Sequence, residues 1–471
     1  NMRIFFEILV IELVEAEILN ASLTVIGGGP GGYSAALRGV QLGSDVILIE
    51  KEKLGGNCLN IGCIPSKLLL HTTGILQHVH NAVKTGTLIG NVQLDWNGLL
   101  TQKNDLINDM ITELEKLLLR NGVKVVHGHG RLSSVGIVEV DRKKGPLEIN
   151  SNAIIIATGS RPSIPLIHGA MHAVTTTNLP DLSRVPASMV IIGGGPEGVE
   201  FATIFHDMGI DVTVLEETDH LLPIEDEDVS RVLEKVLRES GVNVFVKTKV
   251  SGISESDGVK TVSIQQNEVK NKLKANVVVL AMGRKSNIEN IGLETISVAT
   301  KNGLIQVDRH MATNIKGIFA VGDVAGGGLA HVASTQGTVA AENAFGLGSV
   351  YDGLTIPRCL YSRPQVAAVG LNEKTAKSKG FDVKIGKSKM NKNVKALLIG
   401  ETQGFTKIIV ESISRKILGV NIVGEHASEI ISEASLAIRL GATVDDIAGT
   451  VHPYPTFSEA LTEAAQDVEI N

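Results

Sequence analysis

Two segments of this 471-residue chain repeat one pattern, and the repeat constrains the fold more than any other feature. In the first, the apolar run Ser22–Ile26 enters Gly27-Gly28-Gly29-Pro30-Gly31-Gly32. A helical stretch Tyr33–Leu42 follows, and a second apolar run, Val46–Ile49, ends at Glu50. In the second, Met189–Ile192 enters Gly193-Gly194-Gly195-Pro196-Glu197-Gly198, Val199–Met208 follows, and Val212–Leu215 ends at Glu216. Each is a strand–glycine turn–helix–strand unit of the form G-x-G-x-x-G, and the first glycine precedes the acid by 23 residues in both. The first glycine permits a tight turn, the second lets backbone approach a pyrophosphate, and the third allows close helix–strand packing. The helix N-terminus then offers free N–H groups and a favourable dipole to the phosphates, and the acid accepts hydrogen bonds from a ribose diol. One such match is weak, because glycine-rich turns are common. Two with equal spacing imply that one chain holds two dinucleotides.

The expected architecture is α/β, with two Rossmann-like dinucleotide-binding domains and a C-terminal α+β domain. The boundaries expected are an extension over 1–21, a first domain over 22–160, a second over 161–285, a return segment over 286–348 and the C-terminal domain over 349–471. Apolar strands ending in glycine, Ala153–Ala157 before Gly159 and Val277–Ala281 before Gly283, are candidates for chain crossings between domains. The run Gly317–Gly322 ends at Asp323, ahead of a helix starting near His331. That acid suits a ribityl or ribose hydroxyl, or a helix N-cap. After about 350, strand-like runs (Lys407–Val410, Lys416–Val423) precede helix-like ones (Ser428–Leu440, Ser458–Gln466). Glu216 is followed by Glu217, Thr218, Asp219 and His220, with no Arg or Lys to meet a 2′-phosphate, which favours NAD over NADP at the second unit.

The formal charge of −7 gives no basic field and argues against nucleic acid as a partner. Glu7, Glu12, Glu15 and Glu17 interrupt the apolar N-terminal segment, which argues against a membrane span. No basic n-region or small-residue cleavage site marks a signal peptide. Residues 1–21 read as an added strand or helix outside the main fold. Three cysteines exclude a disulfide-stapled secreted scaffold and point to a cytoplasmic or matrix protein.

Two of those cysteines lie in Leu54-Gly-Gly-Asn-Cys58-Leu-Asn-Ile-Gly-Cys63-Ile-Pro-Ser-Lys67. Four residues separate them, a spacing compatible with a disulfide across one helical turn. The segment is expected to open a helix through Leu68–Leu70, whose N-terminal dipole stabilises a thiolate and makes it a competent nucleophile. Zinc is the competing reading, weakened because a structural site takes four ligands and no second cysteine pair exists. No metal is expected, and Cys359 reads as a small buried hydrophobe.

With these residues in view, the chain resembles the pyridine nucleotide–disulfide oxidoreductases, and among them the dihydrolipoyl dehydrogenases. The cysteine segment is specific to that group. The two glycine units, the Ala-Thr-Gly and Ala-x-Gly-Arg joints and Gly317–Asp323 occur in the same order, so the likeness runs from about Ser22 to the C-terminus. The resemblance implies a homodimer joined through the C-terminal domain. It places FAD on Gly27, Gly29, Gly32 and Glu50, with Gly130, Gly159, Asp323, Ala330 and His331 also at the flavin. Lys67, paired with Glu200, is implied near the flavin N5. NAD is implied on Gly193, Gly195, Gly198, Glu216 and Gly283. It further implies that Cys58 and Cys63 form a redox-active disulfide, Cys58 exchanging with a dithiol such as dihydrolipoamide while Cys63 faces the flavin, and that NAD is reduced to NADH. A lipoyl-carrying protein is expected to dock from outside, since no lipoyl domain reads ahead of the first unit.

One departure bears on the substrate. The family motif is H-x-H-P-T-x-S-E, with the second His as acid/base, whereas this chain reads His452-Pro-Tyr454-Pro-Thr-Phe-Ser-Glu459. Tyr454 occupies the catalytic position and Glu459 that of its partner. Tyrosine titrates near 10 and histidine near 6.5 in peptides, so tyrosine is a poor base at neutral pH. Tyr454 as a hydrogen-bond donor, His452 as a substitute base, and a non-lipoyl substrate are three ways to accommodate this. Mercuric reductases also resemble the chain and carry a Tyr there, but they need a C-terminal cysteine pair that this chain lacks. Glutathione reductase is disfavoured by Glu216. An NADH-dependent diaphorase, and a non-catalytic FAD-binding subunit, are the remaining alternatives; the retained Cys58, Cys63 and Lys67 argue against the last.

Overall fold

The computed structural model describes residues 17–470, in two compact units. The first takes the chain through Asn60, with Asn108–Arg161 and Ser286–Tyr351. Its sheet has the strand order Lys124–His127, Val46–Glu50, Glu17–Ile26, Leu147–Ile156, Ile137–Asp141, His129–Ser134. Ile318–Ala320 also pairs, in parallel, with Leu147–Ile156. Val46–Glu50 is buried along its whole length, as a parallel strand covered on both faces must be. Helix Pro30–Gln41 packs against helix Ala330–Ala344, and the contact depends on missing side chains: a Cβ on Gly337 would stand 2.2 Å from the Gly31 carbonyl oxygen.

The first strand corrects the proposed N-terminal boundary. It starts at Glu17 rather than at Ser22, and residues Glu17–Ala21 pair in register with Leu147–Ser151. The early half of the strand is largely exposed, so it carries polar residues that mimic a segment outside the fold. The rest of the supposed extension, 1–16, lies outside the described residues.

The second unit takes Ile61–Ile107, Pro162–Lys285 and the chain from Asp352 onward. Its parallel sheet runs Asn243–Phe245, Asp211–Leu215, Ser188–Ile192, Val277–Leu280, Val174–Thr175. A three-stranded antiparallel meander spans Thr248–Ala275. A five-stranded antiparallel sheet follows, in the order Arg358–Leu360, Val366–Gly370, Ile417–Val423, Phe405–Glu411, Val383–Lys389, with helices Ala427–Leu440 and Glu459–Ile470. This is the α+β region expected after 350. Helix Cys63–Lys84 is held in this unit by Leu69 and Leu70, which join Trp96, Val199, Phe205 and Leu360 in one apolar core. The Trp96 indole N–H in that core donates to the Leu182 carbonyl at 2.8 Å, so burying the ring strands no polar group.

Candidate active site

The two glycine units fold alike down to individual hydrogen bonds. Gly27 and Gly193 adopt φ of +109° and +113°, which strains any residue with a Cβ. A Cβ on Gly32 would fall 1.7 Å from the Gly27 oxygen, and one on Gly198 would fall 2.0 Å from the Gly193 oxygen. Gly29 and Gly195 instead face open space, with nothing nearer than 3.8 Å at the first and nothing within 4 Å at the second. Each of these glycines caps a helix that begins with proline, and neither cap uses a side chain. The first-turn N–H groups are therefore presented to whatever enters the opening.

The acids close the pattern. Glu50 Oε2 accepts from the Gly28 N–H at 2.7 Å, and its Oε1 accepts from Glu52 at 2.8 Å. Glu216 repeats both bonds, from Gly194 at 2.7 Å and Thr218 at 2.8 Å. Both carboxylates are buried and fixed in orientation at the strand end. Each oxygen keeps a second lone pair, the acceptor a ribose diol needs. The donor set and the glycine cradles thus fit a dinucleotide in each unit. Gly198→Ala is expected to lower NAD(H) affinity more than tenfold while leaving the flavin content unchanged, as measured by calorimetry and visible absorbance.

Around the first unit, Gly130 lies in strand His129–Ser134 against Ile49, and Gly159 turns with φ +67°. Asp323 sits in the short 3₁₀ turn Gly322–Ala325 and accepts from the Ser160 hydroxyl. It does not cap the following helix: Leu329 is the N-cap there, and Ala330 and His331 are the first helical residues. In the second unit, Gly283 takes φ +82° just after strand Val277–Leu280.

The cysteine segment forms two helices where a single helical turn was expected. Cys58 lies in the short helix Gly56–Asn60, and Cys63 is the first residue of Cys63–Lys84. Gly62, at φ −116° and ψ −101°, breaks the helix between them. Both cysteines are partly buried. The break leaves Cys63 at a true helix N-terminus, where the dipole favours a negative sulfur.

One turn further on, the Lys67 ammonium donates to both Glu200 oxygens at 2.9 and 2.8 Å. Burial by itself lowers the Lys67 pKa, but the buried Glu200 carboxylate more than offsets this, and Cys63 adds to the net rise. Lys67 is therefore a fixed cation one helical turn after Cys63. Tyr361 completes the arrangement. Its backbone N–H donates to Glu200 Oε1 at 3.0 Å, and its ring centroid lies 4.8 Å from the ammonium. No motif marked Tyr361 as part of the site. Cys359, two residues earlier, is partly buried rather than fully so, and its thiol is pushed up to about 11, chiefly by burial.

At the C-terminal motif the three candidates have different surroundings. The His452 side chain is only 6% exposed, and its Nε2 lies 3.0 Å from Glu433 Oε1. Its Nδ1 lies 2.7 Å from the Thr462 hydroxyl and 3.1 Å from the Thr450 carbonyl oxygen. Both ring nitrogens thus have structural partners. Glu433 was not anticipated, being 19 residues away on helix Ala427–Leu440. Tyr454 is 72% exposed. Glu459 starts helix Glu459–Ile470 and accepts from the Thr456 N–H at 2.9 Å. Among the described residues, no group of three or more His, Cys, Asp or Glu is placed to hold a metal, and no helix is long and apolar enough to cross a membrane.

Comparison with known proteins agrees with this geometry. The family model described as pyridine nucleotide-disulphide oxidoreductase matches residues 21–337, and its dimerisation-domain model matches 356–465. The chain is 37% identical over 458 residues to a dihydrolipoyl dehydrogenase of Bacillus subtilis, covering 94% of this chain and 97% of the relative. It is also 37% identical to a dihydrolipoyl dehydrogenase of Thermus scotoductus, covering 94% and 96%. Among solved structures it is similar to LpdA of Mycobacterium tuberculosis, with TM-score 0.87 and 26% identity over 95% of this chain and 99% of that one. It is likewise similar to the HOCl-induced flavoprotein disulfide reductase RclA of Escherichia coli, with TM-score 0.85 and 26% identity over 95% and 99%. The chain therefore belongs to the pyridine nucleotide–disulphide oxidoreductases and carries that family's dimerisation domain.

Proposed function

We propose that this protein is a flavin-dependent dihydrolipoyl dehydrogenase, oxidising a lipoyl dithiol at a Cys58–Cys63 disulfide and reducing NAD. The observation that carries the reading is the start of helix Cys63–Lys84, where Cys63 stands at the N-terminal end of the helix dipole, one turn before the Lys67 ammonium held by Glu200. FAD lies on Gly27, Gly29, Gly32 and Glu50, with Gly130, Gly159, Asp323, Ala330 and His331 around it. NAD lies on Gly193, Gly195, Gly198, Glu216 and Gly283. When bound, FAD supplies the two-electron transfer between the protein thiols and NAD.

A substrate thiolate attacks Cys58 Sγ and breaks its bond to Cys63, which leaves as a thiolate. The dipole and Lys67 stabilise that leaving group, and a lower leaving-group pKa speeds the exchange. The second substrate thiol then displaces Cys58, closing the substrate disulfide. The substrate has lost two electrons and the cysteine pair has gained them. Tyr454, exposed at the surface, takes the role of hydrogen-bond donor to the entering thiol in this reading, and His452, its ring held by Glu433 and Thr462, that of a positioning residue. The chain acts as a homodimer, with a lipoyl-carrying protein as its macromolecular partner.

The test is anaerobic oxidation of dihydrolipoamide by the FAD-loaded protein with NAD or NADP. Robust NAD reduction that is lost in Cys58→Ser supports the reading, and negligible turnover with both nucleotides sinks it. Tyr454 favours one second reading, an NADH-linked disulfide reductase or diaphorase with a non-lipoyl acceptor. The two readings separate on Tyr454→His. If the lipoyl reaction is native, restoring an imidazole is expected to raise dihydrolipoamide turnover near pH 7 by about 10²-fold, the lower range for a positioned acid/base. An unchanged rate would count against a proton-transfer role at position 454.

A further inference from the structure

Within their six-residue glycine turns the two units differ at one position. Where the first has Gly31, the second has Glu197, in the first turn of helix Pro196–Asp207. In the first unit a side chain is excluded: a Cβ on Gly31 would stand 3.0 Å from Val321 and 3.2 Å from the Ala333 oxygen. In the second unit the position carries a full negative charge, at the helix end that receives a dinucleotide pyrophosphate.

Two neighbours hold that carboxylate. The hydroxyl of Thr176, a buried residue, donates to Glu197 Oε2 at 2.5 Å. Arg284, which follows Gly283 at the carboxyl edge of the parallel sheet, places Nη1 3.4 Å from Glu197 Oε1. That edge is where phosphates bind in open α/β sheets. The Thr176 bond is short and well placed, while the arginine contact is long and partly solvated. Glu197 is therefore fixed by Thr176, and Arg284 is drawn toward it by charge.

We infer that Glu197 tunes the affinity of the second site by weakening dinucleotide binding. It does so by setting a carboxylate beside the incoming diphosphate and by competing with that diphosphate for Arg284. The inference rests on the reading of this unit as the NAD site. Repulsion between a diphosphate and a carboxylate in one helix turn falls with ionic strength, because both are partly solvated. The effect therefore has a signature that a change in packing lacks. It also suits turnover: a nucleotide that must arrive oxidised and leave reduced gains from a site that does not bind it too tightly.

The experiment is calorimetric titration of the oxidised, FAD-loaded protein with NAD, for wild type and Glu197→Gln, at low and high salt. The variant is close to isosteric and half-exposed, and the Thr176 hydroxyl can still donate to the amide oxygen. The expected result is a Kd lowered three- to tenfold in Glu197→Gln at low salt, with the gap shrinking toward twofold at 0.5 M salt. An unchanged or raised Kd at low salt overturns the inference, as does a gain that does not depend on salt. If wild-type protein fails to bind NAD while Gly198→Ala also has no effect, the assignment of the second site falls first and the inference with it.

Discussion

Cys63→Ser is expected to lower dihydrolipoamide–NAD turnover by at least about 10³-fold, as deletion of one member of a catalytic unit does elsewhere. The proposed mechanism asks the Cys63 sulfur to serve as leaving group and electron carrier, and a serine oxygen does neither. It cannot form the disulfide, and its alkoxide is far too basic to depart at neutral pH. Folding is expected to survive, because Cys63 is partly buried at a helix end and serine is nearly its size. NADH oxidation with an artificial acceptor needs no disulfide and is expected to persist. A variant that keeps more than a tenth of its dithiol turnover would contradict the mechanism, and loss of both activities would point to a damaged flavin site.

The largest expected effect on stability lies away from the chemistry, at Lys407. This side chain is on strand Phe405–Glu411 and its residue is 2% exposed. Its ammonium stands 3.0 and 3.1 Å from the two Asp226 oxygens, 3.1 Å from Asp228 and 2.8 Å from Glu373. Asp226 is also the N-cap of helix Glu227–Ser240, accepting from the Asp228 N–H at 3.1 Å. Lys407→Met leaves three carboxylates without their shared cation, and breaking a buried ion pair in this way costs about 3–5 kcal/mol.

The same network sets a pH dependence. Burial raises the Asp228 pKa, but Lys407 and Lys387 overcome it and leave it below the usual carboxylate range. Glu373 is also lowered, first by Lys377 and then by Lys407. Carboxylates depressed in the folded state contribute stability above their unfolded pKa and lose it as pH falls through the folded one. Wild-type stability should thus decline on acidification below about pH 4, and Lys407→Met should show a flatter acid limb. Urea midpoints at pH 7 and below pH 4 measure both effects. A midpoint at pH 7 matching wild type would contradict the account.

The legible parts of this protein are those written in local spacing. Both glycine units and their acids lie within short windows and form the turns and helix starts their residues imply, and the cysteine segment opens the expected helix at Cys63, with a break at Gly62 that its spacing does not show. Pairs distant in the chain were legible only where a family resemblance supplied them, as with Lys67 and Glu200, 133 residues apart. Tyr361, the Glu433 partner of His452 and the Asp226–Lys407 pair, 181 residues apart, leave no periodic trace. Lys407 is the clearest case. A lysine in an apolar strand reads as an exposed position, and only the fold shows three carboxylates gathered on it. The first strand extends beyond its apolar run for the converse reason, since Glu17 and Asn20 are strand residues on an exposed stretch.

The central claim is that Cys58 and Cys63 are a redox pair acting with a bound flavin, and electron counting tests it most directly. Anaerobic titration of the FAD-loaded, oxidised protein with dithionite is predicted to consume four electrons per chain, two for the disulfide and two for the flavin, and Cys58→Ser to consume two. Uptake of only two electrons by the wild-type protein, with the flavin bleaching from the first addition, would contradict the account.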